Sequence, residues 1–410
     1  MKLHHLLPCA LLLGLSACRT DGNEVLVQNT NDPVTAPPDS AAAPAPTGAR
    51  KILLGLLLDT SNSMDGLIDQ AKAQLWSIVA KLGDARCEGQ RPSVQVALYE
   101  YGNDGLPERG NYIRQVMGFT TNMDEVSKAL FALTTNGGNE YCGAVIARSV
   151  DDLDWGSSEA DMRMLVIAGN EEFTQGPIDF TGACERARAK GIVVNTIFCG
   201  DHQEGVRSQW YAGAMAAKGS YFSIDHNAVT EQIASPYDAE LVQLEQRWNA
   251  ANIHYGKQGT YQKENMEAQD RNAGALGSST SGKRREYKVK NSYLNRTWDL
   301  TEVEARSLDS VVRKVDRADL PEKYRSMDAT VLKQEVVRLQ GEKQQLKDRI
   351  VLLNAQRDRY VAEQRKAQPG NSGLESSILA AIEKSAQAKG IRFEEAPVVT
   401  DEKKTDLPVN

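Results

Sequence analysis

The sequence predicts an α/β fold: a doubly wound, mostly parallel six-stranded sheet, followed by an α-helical, partly coiled-coil C-terminal region. Three observations carry this expectation. Between residues 50 and 235, short apolar runs of strand length alternate with segments of helical spacing. The first run, Ile52 to Leu58, is almost uninterrupted, as a strand buried on both faces requires. Beyond about residue 235 no strand-like run remains, and a seam of apolar residues at alternating spacings of four and three appears.

The elements follow in order. After the first strand, Leu67, Ile68, Ala71, Leu75, Ile78, Val79 and Leu82 recur at helical spacing. Val94 to Tyr101 and Tyr112 to Phe119 read as strands, with helices expected at 123–134 and 143–153. Met164 to Ala168 is a further buried strand, and a helix near 180–190 leads to another from Gly191 to Phe198. A helix near 205–218 and a short strand, Tyr221 to Ile224, close the series. Residues 237–270, 301–316 and 328–366 are expected to be helices.

The chain has 410 residues, 41% apolar and 25% charged, so it can bury a real core. Its formal net charge of −7 lacks the basic footprint of a general nucleic-acid binder, and no nucleic-acid partner is expected. Outside the first 18 residues, no apolar stretch approaches the ~20 residues that span a bilayer.

The N-terminus reads as an address. Lys2, the apolar run Leu6 to Leu15 and the small residues Ser16 and Ala17 have the form of a secretory signal. Leu15-Ser16-Ala17-Cys18 resembles a bacterial lipobox, which implies lipidation and cleavage at Cys18. The next residue is Arg19, so the resemblance implies an outer-membrane destination, facing the periplasm or the surface. The alternative is an ordinary secretory signal in which Cys18 is incidental. Residues 19–49 hold five of the fourteen prolines and cannot bury enough surface to fold. Extended, they would reach roughly 90 Å, as a tether would.

The expected organisation is a lipoprotein signal peptide (1–17), a Pro/Ala-rich disordered tether (18–49), an α/β domain (50–235) and a helical segment (236–273). A flexible hinge (274–290), a helical or coiled-coil region (291–367) and a short helix with a disordered tail (368–410) follow.

The informative motif is Asp59-Thr60-Ser61-Asn62-Ser63, an Asp-x-Ser-x-Ser string directly after the first strand. Ligands of open parallel sheets collect at the carboxyl ends of strands. One carboxylate and two hydroxyls on a tight loop are hard oxygen ligands, suited to Mg2+, with Mn2+ or Ca2+ as alternatives. The same residues would also serve to cap the following helix.

With this placement, residues 50 to 230 resemble a von Willebrand factor type A domain, and the loop resembles that family's metal-ion-dependent adhesion site. Gly137-Gly138-Asn139-Glu140-Tyr141-Cys142 falls where the family's second metal loop lies. Gly191 to Gly200, with Lys218 to Phe222, resembles its last two strands. The resemblance implies a divalent cation at the top of the sheet, with a coordination position completed by an acidic residue of a partner protein. Two positions depart from the family. Asn139 stands where a Thr is usual, and Gly169 where an Asp is usual. The candidate ligands are therefore Asp59, Ser61, Ser63, Asn139, Glu140, Asn170 and Glu171. The loops GNEYCG and AGNEEFTQG resemble a bacterial envelope subgroup of the family.

Cys87, Cys142, Cys184 and Cys199 remain after the signal, an even number in an oxidising compartment. Four cysteines allow three pairings. Cys184 at a helix start and Cys199 at the end of the next strand suggest one bridge, which leaves Cys87 with Cys142. Closing the first loop would contribute about 3 kcal/mol. Zinc held by these cysteines with His202 is the alternative, without the usual Cys-x-x-Cys spacing.

In the last long helix, Leu332, Val336, Leu339, Lys343, Leu346, Ile350, Leu353, Arg357 and Tyr360 form a heptad seam with two basic interruptions. The seam predicts self-association through residues 328–366, or packing back on 237–270 or 301–316. Trp298 is expected in a core.

The functional expectation is a non-enzymatic, lipid-anchored envelope protein that binds a protein partner through a divalent cation. The alternative is a structural scaffold acting through its coiled coil, with a degenerate metal site. Enzyme signatures are missing. After the first strand there is neither an Asp-x-Asp pair nor a phosphate-cradling Gly-rich loop, and there is no Gly-x-Ser-x-Gly elbow.

Overall fold

The computed structural model describes residues 50–225, 233–290, 293, 295–366 and 374–394. All of them belong to one unit, Asp39–Asn410. The signal peptide, Cys18, the whole tether and the C-terminal tail beyond residue 394 lie outside the described residues.

Among the described residues eight strands form: β1 (Lys51–Asp59), β2 (Ala85–Arg86), β3 (Ser93–Tyr101), β4 (Ile113–Thr120), β5 (Met162–Gly169), β6 (Val193–Cys199), β7 (Tyr221–Ile224) and β8 (Arg392–Phe393). Six of them make the main sheet, in the order β4-β3-β1-β5-β6-β7. Only β3 and β4 pair antiparallel; the other neighbours are parallel. The most apolar strands, β1 and β5, lie at the centre and are buried along almost their whole length. This is why their sequences run without alternation. The register sets Asp59 beside Tyr101 and Leu58 beside Ala168, so three strands end on one line.

Helices α1 (Asp65–Gly83), α2 (Met123–Phe131), α3 (Cys142–Asp152), α4 (Phe180–Ala189), α5 (His202–Arg207) and α6 (Trp210–Ala216) belong to this α/β layer structure. Sequence placed a single helix at 205–218; Gln209, in a left-handed conformation (φ 72°), divides it into α5 and α6. One sheet face packs on α1 and α2 through Leu67, Leu75, Val126 and Leu130. The other packs on α3, α4 and α6 through Val145, Ile146, Ala187 and Trp210.

The remaining helices are α7 (Asp238–Ala250), α8 (Gly259–Ala275), α9 (Ser278–Val289), α10 (Ala305–Lys314), α11 (Glu322–Arg325), α12 (Ala329–Lys366) and α13 (Leu374–Ala388). Here α13 returns to the sheet: its Leu374, Ile378, Ala381 and Ile382 join the core beneath α1. β8 then pairs with β2. Trp298 is buried in the same core, as expected.

The expected hinge at 274–290 is instead α9. Arg284, Arg285 and Lys288 are almost fully buried in it. Arg284 bonds Asp124 of α2 at 2.7 Å and Asp270 of α8 at 2.5 Å, and it stacks 4.2 Å from the Trp76 ring of α1. Polar composition suggested flexibility because the partners of these cations lie far away in sequence.

The heptad seam of α12 is consumed within the chain. Leu332, Val336 and Leu339 pack with Leu308 and Val312 of α10 and with Ile253 and Leu300. Leu346, Ile350 and Leu353 pack with Leu241, Leu244 and Trp248 of α7. The two basic interruptions sit in polar sockets. Lys343 donates to Asn252 at 3.0 Å, Asp299 at 3.1 Å and Thr301 at 3.0 Å, and it also bonds Glu302. Arg357 bonds Asp238 at 2.8 Å. Of the two uses the seam predicted, the chain packs back on itself, and self-association by that face is pre-empted.

Both expected disulfides are corrected: Cys87, Cys142, Cys184 and Cys199 are all free thiols, and all are buried. The sheet explains why. Cys87 and Cys199 belong to the core on one face, Cys142 and Cys184 to the core on the other. Each expected pairing would have to cross the sheet.

Candidate metal centre at the carboxyl edge of the sheet

Asp59 is the last residue of β1 and is fully buried. The chain turns sharply after it. Thr60 N–H donates to Tyr101 O at 2.9 Å, and Ser61 N–H donates to Asp59 Oδ1 at 2.8 Å. This turn brings the Ser61 and Ser63 hydroxyls within 3.3 Å of each other. Asn170, just past β5, donates from Nδ2 to Ser63 Oγ at 3.2 Å.

These residues do not cap the helix that follows. Neither Ser61 nor Met64, at the two helix starts, makes a side-chain cap hydrogen bond. Asn122, Asp179 and Asp201 do so at α2, α4 and α5. The carboxylate and hydroxyls of the first loop are directed to something other than helix N–H groups.

The second loop, between α2 and α3, is tied to the first. Asn136 N–H donates to Thr60 O at 3.0 Å, and Asn103 Nδ2 donates to Thr134 O at 2.9 Å. Its Glu140 is buried and its N–H donates to Gln175 Oε1 at 2.5 Å, so the loop after β5 clamps it. Asn139, the position matched to the family's Thr, is exposed. The buried side-chain oxygens of this loop belong to the carboxylate one residue later.

Asp59 and Glu140 meet in a tight cradle. A Cβ on Gly102 would lie 2.6 Å from Glu140 Cγ and 2.8 Å from Asp59 Oδ1, and Gly102 has φ +81°. A Cβ on Gly169 would lie 2.5 Å from the Tyr101 hydroxyl and 3.0 Å from Asp59 Oδ2. Hence Gly169 cannot be the Asp that the family carries there. The second carboxylate comes from the neighbouring loop instead.

Burial pushes the Asp59 carboxyl well above the usual range, with the charge of Glu171 adding to it. Glu140 is raised by burial and then by Asp59. Asp59 Oδ2 and Glu140 Oε2 are buried and have no hydrogen-bond partner. Two carboxylates cannot both stay charged in so dry a site without a shared proton or a cation. Beneath them the Tyr101 hydroxyl donates to Ala168 O at 3.0 Å. Burial raises the Cys142 and Cys199 thiols far above their ordinary values, so both stay protonated and unreactive.

The structure thus brings together Asp59, Ser61, Ser63, Glu140 and Asn170, with the exposed Glu171 acting through its charge. Among the described residues no three His, Cys, Asp or Glu side chains form a metal cluster. The donors are two carboxylates, two hydroxyls and an amide, a set that fits a hard divalent cation. Zinc on the cysteines and His202 finds no support in this geometry. Sequence reasoning missed Gly102, Asn103 and Gln175. Tyr101-Gly102-Asn103 at the end of a strand was the available signal.

The family model of the von Willebrand factor type A domain matches residues 54–234. No curated protein matches the chain. Among solved structures, proximal thread matrix protein 1 from the mussel byssus, described with a zinc-occupied MIDAS motif, is similar at 11% identity. The match covers 43% of this chain and 42% of that one, with a TM-score of 0.31. BatB from Bacteroides thetaiotaomicron is similar at 16% identity over 42% of this chain and 90% of that one, TM-score 0.30. The pilus adhesin SpaC from Lactobacillus rhamnosus GG is similar at 14% identity over 43% and 28%, TM-score 0.33. The chain spans less than half the length of the mussel protein. At these identities the likeness concerns the fold alone.

Proposed function

With residues 54–234 as a von Willebrand factor type A domain, we propose that the chain is a non-enzymatic, lipid-anchored envelope protein that grips a protein partner through a divalent cation. The observation that supports this reading is the buried pair Asp59 and Glu140, two carboxyl groups held against each other and Ser61. Burial raises both, and Asp59 raises Glu140 further, so a shared proton or a divalent cation must neutralise the pair. Asp59, Glu140, Ser61 and Ser63 would hold the ion, with Asn170 beside Ser63. Mg2+ is the expected ion, with Mn2+ or Ca2+ as alternatives. When bound, the cation supplies a Lewis-acidic position that an acidic side chain of the partner completes. Cys18 would carry the lipid, and residues 19–49 would hold the domain clear of an outer membrane.

Asp59 contributes charge, and its Oδ1 is oriented by the Ser61 N–H. Glu140 supplies the second charge in place of a residue at position 169. Gly102 and Gly169 keep the space beside both carboxylates open. A scaffold acting through the α12 seam draws less support, since that seam is covered by α7 and α10.

The test is thermal stabilisation of chelator-treated protein by Mg2+, Mn2+ or Ca2+. A ligand at 100 times its Kd stabilises by about 2.7 kcal/mol. The rise should vanish in Asp59→Ala and be much reduced in Glu140→Gln. An equal rise in Asp59→Ala, or none in the folded wild type, overturns the reading.

A further inference from the structure

A second surface lies away from the cation site, at the free edge of the sheet. β7 pairs only with β6 among the described residues. The Thr196 N–H donates to Ser220 O, and Thr196 is in register with Tyr221. Alternation therefore turns the backbone N–H and C=O of Tyr221 and Ser223 outward, away from β6. A groove of about 560 Å³ runs along this edge and straddles it. His202, Tyr211, Met215 and Tyr221 line it on one side, Phe222 and Lys384 on the other. Tyr211 and Met215 are 47% and 43% exposed, two of the few large apolar side chains so placed among the described residues. The rings of His202 and Tyr211 stand 5.0 and 6.0 Å from that of Tyr221. Exposed aromatics and Met are the residues enriched at protein interfaces.

The groove is also polarised. At the amino end of β7 stand Lys384, whose Nζ lies 3.0 Å from Ser220 Oγ, and the exposed Lys218. Beyond the other end, outside the groove lining, stand the exposed Glu204 and Asp201, the latter with Oδ1 capping α5.

We propose that this edge binds an extended segment of a partner protein. The segment adds a strand parallel to β7, is apolar in its middle, and carries an acid at its amino end and a base at its carboxyl end. Backbone groups that have no partner among the described residues give such a segment its hydrogen bonds, and the flanking pockets select its alternate side chains. Tyr211, Met215 and Tyr221 take the residues on one face, and Phe222 those on the other. Lys384 meets the acid, and Asp201 with Glu204 meets the base. No part of this contact uses the cation.

Two labelled, end-capped hexapeptides serve as probes against the full chain: Glu-Val-Tyr-Val-Ile-Lys and Lys-Val-Tyr-Val-Ile-Glu, followed by fluorescence anisotropy. The acid-first peptide should bind at least ten-fold tighter than the other, with or without chelator. Ser223→Pro removes an outward N–H together with the Ser223 hydroxyl that meets His202 Nδ1 at 3.3 Å, and Met215→Glu charges an exposed groove wall without touching that contact. Each should weaken binding ten-fold or more, with an unchanged melting temperature. Should Ser223→Pro fail to fold, Met215→Glu carries the same test. Lys384→Glu should remove most of the preference between the peptides. No binding of either peptide, equal binding of both, or binding indifferent to the folded variants overturns the proposal.

Discussion

Replacing Arg284 with methionine should cost more than any other single change in the helical region. Its guanidinium is fully buried and donates to Asp124 Oδ1 at 2.7 Å, Asp270 Oδ1 at 2.5 Å and Met266 O at 2.9 Å. These three acceptors come from α2 and α8, and the stacked Trp76 comes from α1. Methionine keeps the packing of the stem but removes the cation shared by two buried carboxylates, leaving Asp124 with the Tyr293 hydroxyl and Asp270 with Lys288 and Asn249. Removing one partner of a buried ion pair costs about 3–5 kcal/mol. That is a large part of the roughly 5–15 kcal/mol that holds a protein folded. For a chain of this size the melting temperature should fall by about 5 °C. Urea unfolding and calorimetry at neutral pH are the assays. The double variant Arg284→Met/Asp270→Asn should lose less than the sum of its single changes, because one carboxylate that shared the cation is then neutral. Acid provides a further check. Burial would raise the Asp270 carboxyl, yet Lys288 and Arg284 hold it well below its ordinary value. Its stabilising contribution is therefore present above about pH 4 and fades as pH falls below that. The gap between wild type and Arg284→Met should narrow over the same range. A loss under about 1 kcal/mol, or strict additivity in the double variant, would refute the claim that this cluster clamps the helical region to the α/β domain.

Further outcomes follow from the same structure. Without reductant, a thiol reagent should find none of Cys87, Cys142, Cys184 and Cys199 in the native protein and all four after denaturation; a shortfall after denaturation would reveal a disulfide. Gly169→Asp should destabilise by about 2 kcal/mol or more, since even its Cβ would sit 2.5 Å from the Tyr101 hydroxyl. A neutral or stabilising effect on urea unfolding would show that the cradle is looser than drawn. Cys18→Ala should abolish incorporation of labelled fatty acid and release the protein from membranes; continued labelling would contradict the proposed anchor.

The sheet was legible because its central strands are buried on both faces. Ile52 to Leu58 and Met164 to Ala168 could be little else. Asp59, Ser61 and Ser63 were legible for a related reason, since position after a buried strand gives a weak string its meaning. Glu140 was named as a candidate, but only its burial in the folded loop shows that it, and not the exposed Asn139, turns inward. The cradle of Gly102 and Gly169 depends on β1, β3 and β5 ending together, which no local pattern records. Cysteine parity suggested disulfides, yet parity carries no information on which face of the sheet each thiol occupies. The segment 274–290 misled for the opposite reason. Its Arg284 finds Asp124 160 positions away in the chain, and a polar helix with distant partners looks like a linker. The basic breaks at Lys343 and Arg357 were read as defects of a seam, whereas each fills a socket of acids and amides contributed by other elements.

The central claim is that Asp59 and Glu140 form a site for a divalent cation. Calorimetric titration of Mg2+, Mn2+ and Ca2+ into the chelator-treated full chain tests it most directly, with Asp59→Ala and Glu140→Gln alongside. The account predicts saturable binding of one ion per chain, abolished in Asp59→Ala and at least ten-fold weaker in Glu140→Gln. Heat that is unchanged in both variants, or no binding by a folded wild type, would contradict it.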